Sequence, residues 1–127
     1  MNKNLVFDDS SALFALNIDE SVLSGIFEFG DEEMRIELCN QLLDDYRRMA
    51  AALDGGEPVI VAKVAHELKG LSSTIGAQRL ADLAETLHTT AERVSPSALS
   101  VLTLPVRQEV DAVLSLLETC AKAFRRP

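Results

Sequence analysis

The stretch from Pro58 to Ala77, P-V-I-V-A-K-V-A-H-E-L-K-G-L-S-S-T-I-G-A, decides the fold. Projected as a helix at about 100° per residue, it brings an apolar stripe to within about 40° of one line. The stripe consists of Val61, Val64, Leu68, Leu71 and Ile75. His66 lies roughly opposite its centre, so the helix is predicted to bury the stripe and to present a histidine to solvent.

Small or charged residues are predicted on the same outer face as the histidine: Ala62, Lys69, Gly70 and Ser73. A glycine inside a helix costs about 1 kcal/mol relative to alanine, so the presence of Gly70 in this helix calls for a functional explanation. Its missing side chain clears space for another molecule to approach the imidazole of His66. Lys69 lies one turn away, where its ammonium can neutralise an anion on the ring. Together these residues favour a functional histidine over an inert surface one.

The segment H-E-L-K-G-L-S-S-T-I-G-A resembles the signature H-x-[LI]-K-G-x-[AS]-x-x-x-G-[AL] of histidine-containing phosphotransfer (HPt) domains. The matching positions are His66, Leu68, Lys69, Gly70, Ser72, Gly76 and Ala77. The similarity extends to the hydrophobic pattern from about residue 16 to residue 87. It implies a phosphorelay protein of two-component signalling, whose histidine passes a phosphoryl group between receiver-domain aspartates.

The resemblance also implies roles for individual residues. His66 is the expected phosphoryl acceptor and donor through its Nε2 atom, Lys69 is expected to stabilise charge, and Gly70 to give access. Ala62 and Lys63 are expected to contact the partner. The implied partners are receiver domains of response regulators, a hybrid histidine kinase, or both.

Glycine-rich ATP-binding motifs and a carboxylate cluster for Mg²⁺ are not found in the sequence. We therefore expect a phosphocarrier rather than an enzyme with ATP chemistry. It should need no cofactor of its own, and the Mg²⁺ is expected in the receiver partner. Two distant histidines are too few for a metal site.

The residue that orients the His66 ring is left open by the sequence. Many members of the resembled family place a glutamine about 22 residues after the histidine, and His88 stands at that position here. His88 is either a polar residue near the surface with no role, or it orients the ring. Ser73 is the other candidate for such a supporting contact.

Two other functions compete with the phosphocarrier hypothesis. H-E-L-K is also similar to the H-E-[LI]-R-[TN]-P-L box of sensor histidine kinases, in which the glutamate assists proton transfer. Here Gly70 and Leu71 replace the Thr-Pro pair, and the chain shows no ATP-binding domain. A dimeric kinase-like phosphotransferase is one alternative, and a helical adaptor with a never-phosphorylated His66 is the other.

Composition bounds the class of protein. The chain has 127 residues, 47% of them hydrophobic, which suits one domain with a single core. The net charge of −8 makes nucleic acid an improbable partner. Neither a signal peptide nor a long apolar run is recognisable, so we expect a cytoplasmic protein without a membrane partner. The resemblance to HPt domains implies a monomer. Cys39 and Cys120 are expected to be small buried or half-buried residues.

The periodicity predicts an all-α fold: an antiparallel, up-down-up-down four-helix bundle with a short N-terminal helix across one end. Residues 1–17 are predicted to be a lead-in, and residues 18–127 the domain. The predicted helices cover about 20–29, 32–53 with Asp31 as the N-cap, 58–75, 78–93 and 104–124. Gly76 is predicted to be the turn residue that closes the third of these helices. Because Pro105 interrupts the last apolar stripe, a separate short turn or helix is predicted at 97–103.

Overall fold

The computed structural model describes residues 18–28 and 30–124, and these contain no strand. The predicted lead-in at 1–17 lies outside the described residues, as do Phe29 and residues 125–127. An all-α helical bundle is confirmed. Its helices are α1 Glu20–Glu28, α2 Glu32–Gly55, α3 Pro58–Thr74, α4 Gln78–Thr90 and α5 Pro96–Phe124. In this part of the chain, no helix has the length and apolar character needed to cross a membrane.

The helix boundaries follow from local chemistry. The Asp31 carboxylate accepts a hydrogen bond from the Met34 backbone N–H at 2.9 Å and caps α2. Pro58 occupies the first turn of α3, where a missing N–H costs nothing. Gly76 follows α3 with φ of 84°, a left-handed conformation that favours glycine. The turn role predicted for Gly76 is therefore confirmed. The fourth helix ends at Thr90, three residues earlier than expected.

Cross-helix contacts show that neighbouring helices are antiparallel. Between α2 and α3, Tyr46 bonds Ser72 whereas Arg48, further along α2, bonds Glu67, earlier in α3. Between α2 and α5, Cys39 contacts Leu117 and Asp54 contacts Arg107, again in opposite order. Between α3 and α4, His66 meets His88 and Lys69 meets Glu85. The four long helices therefore alternate in direction around one core.

The short α1 closes one end of the bundle. Because α3 and α4 are much shorter than α2 and α5, they leave the start of α2 and the end of α5 uncovered. Phe27 of α1 packs edge-on against Phe124, with ring centroids 5.2 Å apart. The Asp19 backbone N–H, just before α1, donates to the Gly76 carbonyl at 2.9 Å. The predicted position of this helix across one end is confirmed.

The predicted stripe of α3 forms the centre of the core. Val61 and Leu68 are fully buried, Ile75 nearly so, and Leu71 packs against the core from its edge. Cys39 and Cys120 are buried as expected. Burial raises the pKa of the Cys120 thiol to about 12, so this thiol stays protonated at neutral pH.

The predicted break near Pro105 is wrong. Helix α5 runs without interruption for 29 residues, about 43 Å, with Pro105 inside it. Pro105 has no N–H for the Val101 carbonyl one turn earlier, but both residues face solvent, where water can bind that carbonyl. Leu99 and Val106, on either side of Val101 and Pro105, remain buried in one stripe. Burying this continuous stripe outweighs the cost of the proline.

Replacing Pro105 should therefore stabilise the protein. Pro105→Ala restores a helical N–H, and we expect the free energy of unfolding to rise by about 1–3 kcal/mol. Urea denaturation followed by circular dichroism measures the change. Gln108→Ala, an exposed position in the same helix, is the control and should change stability by no more than about 0.5 kcal/mol. Loss of stability in Pro105→Ala would show that the ring itself packs against the bundle.

Candidate functional site

The side chain of His66 projects from the middle of α3 to the surface. It is exposed, as the helical projection predicted. Gly70, one turn further, is also exposed, and a β-carbon placed on it would meet no atom within 4 Å beyond its chain neighbours and its own helix backbone. The space beside the imidazole is therefore open on the Gly70 side. Lys63 is exposed on the preceding turn, where a partner can reach it.

Ala62 does not lie on the open face. Its exposure is only 5%, so the expectation that it belongs to the partner surface is corrected. Helix α4 packs against this flank of α3, and His88 of α4 bonds the Ala62 carbonyl. A helical projection places Ala62 near His66 in angle, but it does not show how far the neighbouring helix reaches around α3.

His88 is held in place and contacts His66. Its Nδ1 atom lies 2.9 Å from the Ala62 carbonyl oxygen. Because a carbonyl oxygen can only accept a hydrogen bond, Nδ1 of His88 carries a proton and donates it to Ala62. The two imidazoles pack with centroids 4.8 Å apart and planes tilted by 41°. The half-buried His88 therefore packs directly against the His66 ring, and an orienting role for it stays a prediction.

Ser73 lies apart from this pair of rings. It is exposed near the end of α3, two turns after His66. In the residues that the structure describes, no hydrogen bond joins it to either histidine. Its neighbour Ser72 points inward, where its hydroxyl shares a 2.9 Å hydrogen bond with that of Tyr46. Burial raises the pKa of Tyr46 well above its usual range, so this bond joins two neutral hydroxyls.

Lys69 is already paired in the structure. Its Nζ atom lies 3.1 Å from a carboxylate oxygen of Glu85 on α4, and both side chains are about half exposed. Glu85 was not among the residues predicted from the sequence. The antiparallel register of α3 and α4 could have indicated it. Once His66 faces His88, the residue three positions after His66, Lys69, faces the residue three positions before His88, which is Glu85.

Glu67 is engaged on the other flank of α3. Its carboxylate receives both terminal guanidinium nitrogens of Arg48 from α2, one of them at 3.2 Å. This contact raises the pKa of Arg48. Since His66 contacts α4 whereas Glu67 contacts α2, the two neighbours in sequence face different helices.

Comparison with protein families agrees with this geometry. The Hpt domain profile matches residues 33–121, which includes His66, His88 and most of the bundle. The chain belongs to the Hpt domain family. Its members have a phosphotransfer role in two-component signalling, with partners such as receiver domains. Neither the curated proteins nor the solved structures contain a significant match.

A metal site is not formed by the described part of this Hpt domain. No three histidine, cysteine or carboxylate side chains there come together as metal ligands. The His66 ring instead packs against His88, and Lys69 pairs with Glu85 one turn further along α3.

Because the space at Gly70 is open, substitutions there should affect the stability of the protein and the access of a partner to His66 in different ways. Gly70→Ala should raise the free energy of unfolding by up to about 1 kcal/mol, because alanine is the better helix former. Gly70→Gln should also fold, since its side chain points into solvent. It should nevertheless slow phosphotransfer from a receiver domain sharply, because the glutamine occupies the approach to His66. Thermal melting and single-turnover transfer measure the two effects.

Gly55→Ala is the matched control for Gly70, because Gly55 is likewise helical and has nothing within 4 Å of an added β-carbon. Its transfer rate should equal that of the wild type. A Gly70→Gln protein that loses stability and transfer together would identify Gly70 as a packing residue.

Proposed function

We propose that this Hpt domain relays a phosphoryl group between aspartates of receiver domains through phospho-His66. The observation that carries the proposal is the environment of His66: an exposed imidazole, packed against His88 on one side and open above Gly70 on the other. A ring restricted on one side and accessible on the other suits in-line attack on a phosphoryl group carried by a partner.

The transfer step needs only a nucleophile and charge compensation from this chain. The lone pair of neutral His66 at Nε2 attacks the phosphorus of the aspartyl phosphate. The N–P bond forms as the bond from phosphorus to the carboxyl oxygen breaks, and the aspartate leaves as a carboxylate. Imidazole is a nucleophile at neutral pH without a general base, because its usual pKa is about 6.5. Transfer to the next receiver is the same step reversed.

The receiver is proposed to supply everything else that the reaction needs. It brings the acidic pocket and its Mg²⁺, while this domain contributes no cofactor and no ATP chemistry and acts as a phosphocarrier. Docking would cover Lys63, His66, Gly70 and Ser73, which are all exposed. Transient signalling contacts of this kind bury about 1,200 Å² or less in total. A cytoplasmic location and a monomeric state remain predictions.

The kinase-like alternative is less well supported by the site. In the kinase box, the glutamate after the histidine must be available for proton transfer, but here Glu67 is bound by Arg48 on the other flank of α3. The alternative also requires two chains to form its helical core. Measurement of mass in solution separates the two functions, because the phosphocarrier is expected to be a monomer. The adaptor alternative is separated by the phosphorylation test below.

His66 is expected to be the only phosphorylation site. Incubation with a panel of phosphorylated receiver domains should transfer acid-labile phosphate to the wild type, and His66→Gln should abolish uptake without changing helicity. Label that persists in His66→Gln, or that maps to His88, would contradict the assignment. Complete absence of label on the wild type would favour the adaptor.

His88 is expected to speed transfer by restricting the His66 ring. His88→Ala removes the ring contact and the bond to the Ala62 carbonyl, and transfer should slow about 10-fold or more, as is typical for loss of an orienting partner. Thr89→Ala, at the exposed neighbouring position, is the control and should transfer normally. An unchanged rate in folded His88→Ala would show that the ring contact has no part in the reaction.

A further inference from the structure

The ion pair between Lys69 and Glu85 gives the site a component that the phosphocarrier proposal does not use. On α3, Lys69 follows His66 by three residues, and on α4, Glu85 precedes His88 by three. Because the helices are antiparallel, the two cross-helix contacts lie one turn apart along the α3–α4 seam, the line along which these two helices pack against each other. The ammonium expected to compensate phosphoryl charge is thus bound to a carboxylate while His66 is unmodified.

We propose that Glu85 is a positioning residue for phosphoryl transfer, which competes with phospho-His66 for the ammonium of Lys69. This inference rests on the proposed function. In the unmodified protein, Glu85 holds Lys69 across the α3–α4 seam. When His66 carries a phosphoryl group, Lys69 turns to that dianion and Glu85 is left without its partner. The carboxylate therefore makes phospho-His66 less favourable than a free lysine would.

The expected size of the effect of Glu85 on the transfer equilibrium follows from the solvent exposure of the Lys69–Glu85 pair. Both partners are about half exposed, with side-chain accessibilities of 41% and 45%, so the pair is screened by water. Exposed pairs of this kind correspond to a change of about 1.5- to 5-fold in an equilibrium constant. Such a change moves the balance of phosphoryl between histidine and aspartate without preventing either direction. Glu85 would thus set how readily the domain gives up its phosphoryl group.

Glu85→Gln tests the proposal through the transfer equilibrium. Wild type and variant are mixed with one phosphorylated receiver domain, and the fraction of phosphoryl on His66 is measured at equilibrium. Glu85→Gln should raise the equilibrium constant for phospho-His66 about 1.5- to 5-fold, and the increase should shrink in high salt. A purely structural role of Glu85 would change the melting temperature but would leave this constant unmoved.

Two further variants identify the route of the effect. Asp82→Asn removes the same charge one turn earlier on α4, where Asp82 bonds Gln78 rather than Lys69, and it should leave the constant near the wild-type value. In a Lys69→Ala background, Glu85→Gln should have no effect beyond that of Asp82→Asn. An equal increase with and without Lys69 would mean that Glu85 repels the phosphoryl group directly, and the proposal would be overturned. An unchanged or lower constant in the single variant would overturn it as well.

A small phosphodonor keeps this test separate from the relay proposal. Phosphoramidate transfers its phosphoryl group to an imidazole nitrogen and releases ammonia, so no receiver is required. The carboxyl ¹³C signal of Glu85 should shift when His66 of the wild type is phosphorylated, and it should not shift in Lys69→Ala. If receivers fail but this shift appears, the relay is wrong and the competition stands. If no shift appears, or His66 accepts phosphoryl from neither donor, the competition is overturned.

Discussion

Burial of the apolar stripe of α3 is the constraint on which the rest of the structure depends. Val61 and Leu68 reach the centre of the core, and their burial fixes the rotation of α3 about its axis. With the rotation fixed, the opposite side of the helix can only face outward, and His66 lies there. The imidazole of His66 therefore needs no loop to position it. Its outward direction is set by the hydrophobic packing on the opposite side of the same helix.

The second constraint is the antiparallel seam between α3 and α4. It brings His88 to His66 and Glu85 to Lys69 at consecutive turns, so one helix carries the groups proposed to react and the other carries the groups that hold them. The His88 contact is a ring packing supported by a hydrogen bond from His88 to the Ala62 carbonyl. The Lys69–Glu85 pair is exposed and weak, which suits a contact proposed to break and re-form during each transfer.

Unequal helix lengths explain the remaining architecture. The long α2 and α5 extend beyond the shorter pair at one end, and α1 covers the apolar surface left there through Phe27 and Phe124. Gly76 adopts a left-handed conformation directly beside the segment that leads into α1. The same turn thus ends α3 and receives the N-terminal segment. This closure brings α1 against the end of α5 and against the turn that follows α3.

The sequence by itself determined the class of fold, the helix boundaries at Asp31, Pro58 and Gly76, and the exposure of His66 and Gly70. Each of these features follows from the chemistry of a few residues or from the periodicity of one helix. None of them requires knowledge of how the neighbouring helices pack. The resemblance to the HPt signature rested on the same local pattern, which is why the family match confirmed it.

Tertiary structure alone decided which flanks of α3 are covered. Ala62 is buried, and Lys69 is paired, because α4 packs closely on that side, and a projection of one helix does not contain this information. The continuity of α5 was decided in the same way. Local propensity favours a break at Pro105, but the cost of one missing hydrogen bond at an exposed carbonyl is smaller than the gain from burying a continuous stripe against the other helices.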